Sequence, residues 1–380
     1  VLTEGFDSAA DPEVSFDGSR ILFAGKRSDS ELWQIFEMAA DGSGTRQITR
    51  EARDCRSPIY QSQLFTLDAE KPWQQIAFVQ AGSLYSARLD GTGIRRLTWS
   101  GGSDFDPVMA PDGRMLFTQQ QGARSALFGV NLDGTDYALF SGFAGGRLKR
   151  MPAVTANRVV MFVESMPGTW DGAGALATVG LRRPMHSYNR LPQPGLFHSP
   201  AALPDGSVLV SARPATGGTH AIHRFDPTSG SLQPIYDDED RHDMQAKLLA
   251  PRPIPDGRSS VVDENAATAK LYCLSVNTTD GPAGRATRLR ISNVDRRVLA
   301  EVELEDDGSF HLEVPALTPL VLQTLDAKGL VLRTSAPVWA MNRENRGCIG
   351  CHEDPELVPE NRLARALTRP AIRIEKGLRP

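Results

Sequence analysis

Near the C-terminal end, Cys348-Ile349-Gly350-Cys351-His352 sets two thiols three residues apart with an imidazole directly after the second. Thiols at that spacing can add across the two vinyl groups of one porphyrin, and the adjoining histidine then stands on one face of the ring within reach of the iron. The pattern predicts one covalently attached haem c, with Cys348 and Cys351 as thioether anchors and His352 as the proximal iron ligand. Competing uses fit less well. A zinc site wants about four ligands, and no second Cys/His pair of ligand spacing occurs. A thioredoxin-like redox pair wants a βαβ setting. A plain disulfide leaves the histidine without purpose.

The sixth position on the iron stays open at this stage. Met341 lies close upstream and suits an electron-transfer cytochrome, while His311, His242 and Met244 are more distant candidates. A group from a partner subunit, or no group at all, fits equally well. His311 alternates outward with Glu313 in Phe310-His311-Leu312-Glu313-Val314, so an exposed strand position is its default reading. Thioether attachment of haem takes place outside the cytoplasm, which predicts a periplasmic or otherwise exported bacterial chain. In that compartment a Cys55–Cys273 disulfide is permissible, with two buried free thiols as the equal alternative.

What must hold this motif is a β-rich chain. Among 380 residues, Gly 34 and Pro 26 exceed the usual share and point to many turns and few helices. Lys+Arg 42 against Asp+Glu 46 gives a net charge of −4, without the basic excess of a nucleic-acid-binding chain. No apolar run is long enough to span a bilayer as a helix. The start at Val1 carries neither a basic nor an apolar leader and fits a mature, processed or truncated chain alike.

An internal repeat organises the first two thirds. Asp11-Pro12 through Asp17-Gly18-Ser19-Arg20-Ile21-Leu22-Phe23 recurs as Asp106-Pro107 through Asp112-Gly113-Arg114-Met115-Leu116-Phe117, and again as Ser199-Pro200 through Asp205-Gly206-Ser207-Val208-Leu209-Val210. Marker prolines fall at 12, 58, 107, 152, 200 and 251. A second Asp-Gly unit follows, as in Asp41-Gly42-Ser43-Gly44 and Asp90-Gly91-Thr92-Gly93. Asp-Gly between short apolar runs makes a tight hairpin, because glycine supplies the positive φ. Two hairpins per repeat are four strands, one propeller blade, and six markers predict six blades. The last copy lacks its outer hairpin, so the ring is expected to close with a strand from residues 1–10. The blade aspartates read as turn and cap residues rather than ligands.

From about Ala269 the rhythm changes to six candidate strands, Lys270–Val276, Thr287–Ser292, Val298–Leu304, Ser309–Val314, Leu320–Leu325 and Leu330–Thr334. They read as a small β-sandwich. The expected fold is therefore all-β: a propeller over 1–263, a sandwich over 264–340, and an irregular haem-attachment segment with a basic tail over 341–380. Prolines after the motif leave no room for a complete helical cytochrome domain, so the porphyrin must pack on the sandwich, the propeller rim or another chain. The tail Arg362–Arg379 is expected to be a solvated or partner-wrapping arm.

The Ser/Asp-Pro, Asp-Gly-Arg and Asp-Gly-Ser-Gly units resemble the TolB-like (PD40) propeller family over roughly residues 8–260, least well where Ala156-Asn157-Arg158 replaces Asp-Gly-Arg. The whole order, with Leu271-Tyr272-Cys273 opening the second region and Arg346-Gly347-Cys348-Ile349-Gly350-Cys351-His352-Glu353 closing it, resembles the hydrazine synthase alpha-subunit family. That resemblance implies a six-bladed propeller followed by a middle domain with a c-type haem. The family's synthases carry a further second-haem domain, which this sequence ends before. Their active-site haem takes a tyrosine four residues beyond the motif histidine, a position held here by Glu356, which points to ordinary ligation by His352. Three functions follow as expectations. The first is a haem-bearing electron-transfer subunit working with other redox or cytochrome subunits, with peripheral membrane association open to it. The second is a haem enzyme subunit of hydrazine-synthase or peroxidase type. The third is a propeller binding module with a structural haem.

Overall fold

The computed structural model describes residues 1–67, 69–142, 147–278, 284–350, 356 and 362–375. It is all-β; its only helical element among the described residues is one 3-10 turn, Arg365–Thr368. Two compact units emerge, one of residues 1–98, 102–132 and 137–259, the other of residues 99–101, 133–136 and 260–380.

The first unit is the propeller. Its first blade is Ser8–Val14, Arg20–Lys26, Gln34–Ala39 and Arg46–Gln47, paired in that order and antiparallel throughout. Three more blades follow the same plan from Cys55–Tyr60, Ser103–Met109 and Leu148–Val154. The fifth begins at Leu196–Ala202 and joins the fourth through the single pair Gly174↔Phe197. Apolar residues of the inner strands, among them Leu22, Phe78, Phe117, Phe162 and Phe197, are fully enclosed between blades. The turn reading of the aspartates holds: Asp17, Asp41, Asp90, Asp112, Asp205 and Asp226 each accept the backbone N–H two residues on. In the weak fourth repeat Arg158 takes the positive φ (59°) that Gly113 and Gly206 supply elsewhere.

The sixth sector departs from expectation. Residues 237–257 form no strand, and Ser8–Val14 stays in its own blade instead of crossing to complete the last one. The gap is bridged by side chains. Gln245 donates its backbone N–H to Ser199 Oγ at 2.9 Å and its Oε1 accepts the Asp11 N–H at 2.9 Å, while Lys247 and Arg252 both reach the buried Glu13. Marker Pro251 is thus not the sixth counterpart of Pro12: Gln245 takes the place of Asp11, and Ala246 stands where the other sectors have proline.

Six residues around the central channel share one conformation: Asp11, Ser57, Asp106, Met151, Ser199 and Gln245 have φ between 43° and 61°. In five of these sectors the inner strand slips register there, as between Ala10 and Glu13 or Phe105 and Val108. The left-handed backbone is unfavourable for these residues. What offsets it is a relay: the Asp11 carboxylate accepts the Ser57 N–H at 3.0 Å, Asp106 accepts that of Met151 at 2.9 Å, and the Met151 sulfur accepts that of Ser199 at 3.2 Å. Burial would raise the Asp11 pKa, but Arg56, the Ser57 N–H and Gln245 together hold it below the ordinary carboxylate value. Asp106, with weaker compensation, is pushed up by burial. Asp11→Ala leaves the Ser57 amide without its acceptor and Arg56 without its carboxylate, and is expected to cost about 2 kcal/mol in urea unfolding. An unchanged midpoint would count against the relay as a source of stability.

The second unit is a sandwich of two four-stranded sheets. One runs Val298–Glu303, Arg288–Asn293, Leu320–Leu325, Val331–Thr334; the other runs Asn345–Cys348, Thr268–Cys273, Phe310–Pro315, Ile372–Arg373. Their inner faces meet over Leu271, Leu289, Ile291, Leu312, Val314 and Leu320. The strands expected from alternation are present, but the segment after 340 is not separate. Asn345–Cys348 and Ile372–Arg373 are both edge strands of the sandwich, each paired in parallel. The tail, expected to be a solvated or partner-wrapping arm, is docked on this unit as far as it is described. Ala364 and Ile374 are buried, Arg365 pairs with Asp306, and Arg369 pairs with Glu305. Apolar residues interleaved with the arginines drive this docking.

Candidate haem-attachment site

The motif begins on the edge strand Asn345–Cys348, in register with Thr268–Cys273: Lys270↔Asn345, Leu271↔Arg346, Tyr272↔Gly347, Cys273↔Cys348. Pairing continues past the strand, with the Leu274 N–H donated to Cys348 O at 3.0 Å and the Ser275 N–H to Ile349 O at 3.2 Å. Two glycines make this approach workable. A Cβ on Gly347 would lie 2.5 Å from Cζ of the Tyr272 ring, and one on Gly350 would lie 2.2 Å from the Thr278 carbonyl oxygen. The first glycine makes room for a ring on one face of the sheet, the second for backbone against backbone.

The turn leading into the strand is fixed from below. Glu344 is buried; its Oε2 accepts the Met341 N–H at 2.7 Å and its Oε1 the Asp136 N–H at 2.9 Å. Burial raises its pKa despite these bonds. Arg346 donates to Trp339 O at 2.7 Å and holds its guanidinium 5.6 Å from the Trp339 ring centre, a cation–π contact on a fully enclosed indole. Backbone bonds from Lys270 to Glu344 O and from Arg343 to Thr268 O complete the attachment.

Cys348 is therefore set at a strand end, partly exposed, its side chain packing along the edge of the sandwich core. That suits one anchor of a porphyrin lying at a sheet edge. Cys351 and His352 lie outside the described residues. Met341 is 3% exposed and enclosed in the turn before the strand, so in this arrangement it is a core residue. His311 is half-exposed, with Nδ1 3.4 Å from Arg369 O, as its alternation predicted. His242 and Met244 belong to the first unit. Cys55 is a buried free thiol there, the second of the two alternatives for that residue. Among the described residues, no group of three or more His, Cys, Asp or Glu is arranged to hold a metal ion.

Spacing gave no warning of a histidine cluster in the propeller. His220 Nδ1 and His242 Nδ1 stand 3.1 Å apart, and His242 Nδ1 also lies 3.1 Å from the His220 amide. His220 Nε2 faces Asp171 Oδ2 at 3.4 Å, and Asp171 in turn takes two bonds from Arg213. Burial lowers the His220 pKa to about 4 and lowers that of His198 beside it. Lys149 is likewise brought down to about 8 by burial, its ammonium 2.7 Å from Ser141 Oγ. Residues more than twenty apart, on separate strands and loops, carry no local signature of meeting.

The family model described as the hydrazine synthase alpha subunit middle domain matches residues 260–353, from the start of the sandwich through the motif. Hydrazine synthase subunit alpha of Kuenenia stuttgartiensis is 29% identical over 93% of this chain and 61% of its own length. The solved Kuenenia stuttgartiensis hydrazine synthase superposes with a TM-score of 0.83 at 22% identity, covering 97% of this chain and 66% of that one. TolB from Acinetobacter baumannii is more distant, at a TM-score of 0.45 and 14% identity over 86% of this chain. The chain thus spans about three fifths of the length of the curated relative it matches.

Proposed function

Since the chain is a homologue of the hydrazine synthase alpha subunit, shorter than that relative and built on a TolB-like propeller, we propose that it is an exported haem-bearing subunit of a redox assembly. One haem c is bonded to Cys348 and Cys351 and ligated by His352, and its role is electron transfer. The observation that carries this reading is the placement of Cys348 at the end of a parallel edge strand, clamped by Gly347 and Gly350 and partly open to solvent. When bound, the haem supplies a one-electron couple. The chain's own residues fix its first anchor: Glu344 and Arg346 hold the turn, and the sheet holds the strand. Bound at the edge, the group would be presented outward, toward a partner. The relative is by its name one subunit of several, which supports partner subunits here. No helix among the described residues is long and apolar enough to cross a membrane.

A second reading, a haem enzyme subunit with an open sixth position, is favoured by the enclosure of Met341. One experiment addresses both. The chain is produced in a bacterium that exports it and matures c-type cytochromes. Its intact mass is expected to rise by one haem, and Cys348→Ala with Cys351→Ala to abolish the gain. A low-spin spectrum indifferent to carbon monoxide supports electron transfer; a high-spin form that binds the gas supports the enzyme. A colourless chain without added mass overturns both.

A further inference from the structure

The register places a second thiol beside the motif. Cys273 and Cys348 are direct partners on neighbouring parallel strands. Adjacent strands run about 4.8 Å apart, inside the window of about 4.4–6.8 Å that a disulfide requires between Cα atoms. In-register partners share a face, and these two do: Cys273 belongs to the sandwich core and Cys348 packs against that same core. The strand that carries Cys348 is an edge strand, and Cys348 is its last residue. Small movements there cost no outer pairing.

We propose that Cys273 and Cys348 form a reversible disulfide when no haem is attached, which guards the first anchor of the motif. The partly exposed Cys348 thiolate attacks one sulfur of a small-molecule disulfide, and one thiol leaves. The Cys273 thiolate then attacks the Cys348 sulfur of the mixed disulfide and displaces the second thiol. The two protein thiols are oxidised by two electrons and the reagent disulfide is reduced to two thiols. Cys348 is partly exposed at a strand end, and a bridge open to solvent is among the more easily reduced. While it stands, Cys348 has no S–H to add to a vinyl group. That consequence rests on the haem reading; the bond itself does not. Cys55 is no competitor, since burial pushes its thiol up to about 11.

The test uses the wild-type chain from cells that do not attach haem, oxidised with a glutathione disulfide buffer, alkylated and mapped by mass spectrometry without reduction. A Cys273–Cys348 cross-linked peptide is expected at ten times or more the abundance of the Cys348–Cys351 loop, disappearing at mild reducing potential. A dominant Cys348–Cys351 loop, or glutathione on Cys348 with Cys273 alkylated, overturns the proposal. In a host that matures cytochromes, Cys273→Ala should raise haem occupancy several-fold under oxidising growth. If wild type and variant both stay free of haem while the cross-link forms, the haem reading fails and this inference stands.

Discussion

Gly350→Ala is expected to detach the beginning of the motif from its sheet and leave the chain largely without haem. The new methyl carbon would sit 2.2 Å from the Thr278 oxygen and 3.0 Å from its carbonyl carbon and Cβ. Backbone cannot rotate out of the way as a side chain can. Either residues 348–350 lift off, giving up the bonds from Leu274 to Cys348 O and from Ser275 to Ile349 O, or the segment 275–278 yields. Overpacking at about 1–3 kcal/mol and two lost hydrogen bonds at about 1 kcal/mol each add to roughly 3–5 kcal/mol. Urea unfolding of the second unit and haem content in a maturing host measure the two halves of this effect. Gly347→Ala provides the contrast. Its obstacle is the Tyr272 ring, which can swing aside, so its cost should be smaller and should shrink further in a Tyr272→Ala background. Equal costs at both glycines would mean that close backbone approach is not what holds Cys348.

The second large effect is an acid sensitivity of the propeller. His220 has a native pKa of about 4, well under its ordinary 6.5, because burial penalises the charged ring more than Asp171 favours it. The native state therefore binds fewer protons than the unfolded chain between those values. The contribution is whole above pH 6.5 and drains away as pH falls toward 4, amounting to up to about 3 kcal/mol. His198 shifts the same way and adds to it. Facing His220 are Asp171, His198, His242 and Arg213, so among the described residues that face it Asp171 is the one counter-charge. His220→Gln should flatten the stability profile between pH 6.5 and 4.5 in chemical unfolding. A wild-type profile already flat there would dispose of the idea.

Much of the fold was legible because its signals are local. Asp17-Gly18 or Asp205-Gly206 between apolar triplets announces a hairpin, and alternation in Phe310-His311-Leu312-Glu313-Val314 announces a half-buried strand. The missed features depend on partners far away in sequence. Asn345–Cys348 reads as irregular, since Gly347 and Gly350 depress strand propensity; it pairs only because Tyr272 and Thr278 offer surfaces that want glycine. The channel residues escaped notice because their common backbone is borne by Asp, Ser, Met and Gln, with a following proline as the one shared mark in five sectors. The sixth sector has no hairpin to read, so the proline spacing points to Pro251 although Gln245 takes the role of Asp11 there. Of the motif itself, residue types and spacing were plain, and the surprise is structural: its first residue, Cys348, ends a strand of the sandwich.

The bridging of Asp11 by Gln245 also sets a timetable. These residues are 234 positions apart, and Lys247 meets Glu13 across the same interval. A polypeptide emerging from a ribosome or a translocation pore, N-terminus first, delivers Asp11 long before the groups that complete it. Contacts of such long loop closure come late and slowly. The first blade can pair within itself, but the bridge from Asp11 and Glu13 must wait open until more than two hundred further residues have arrived.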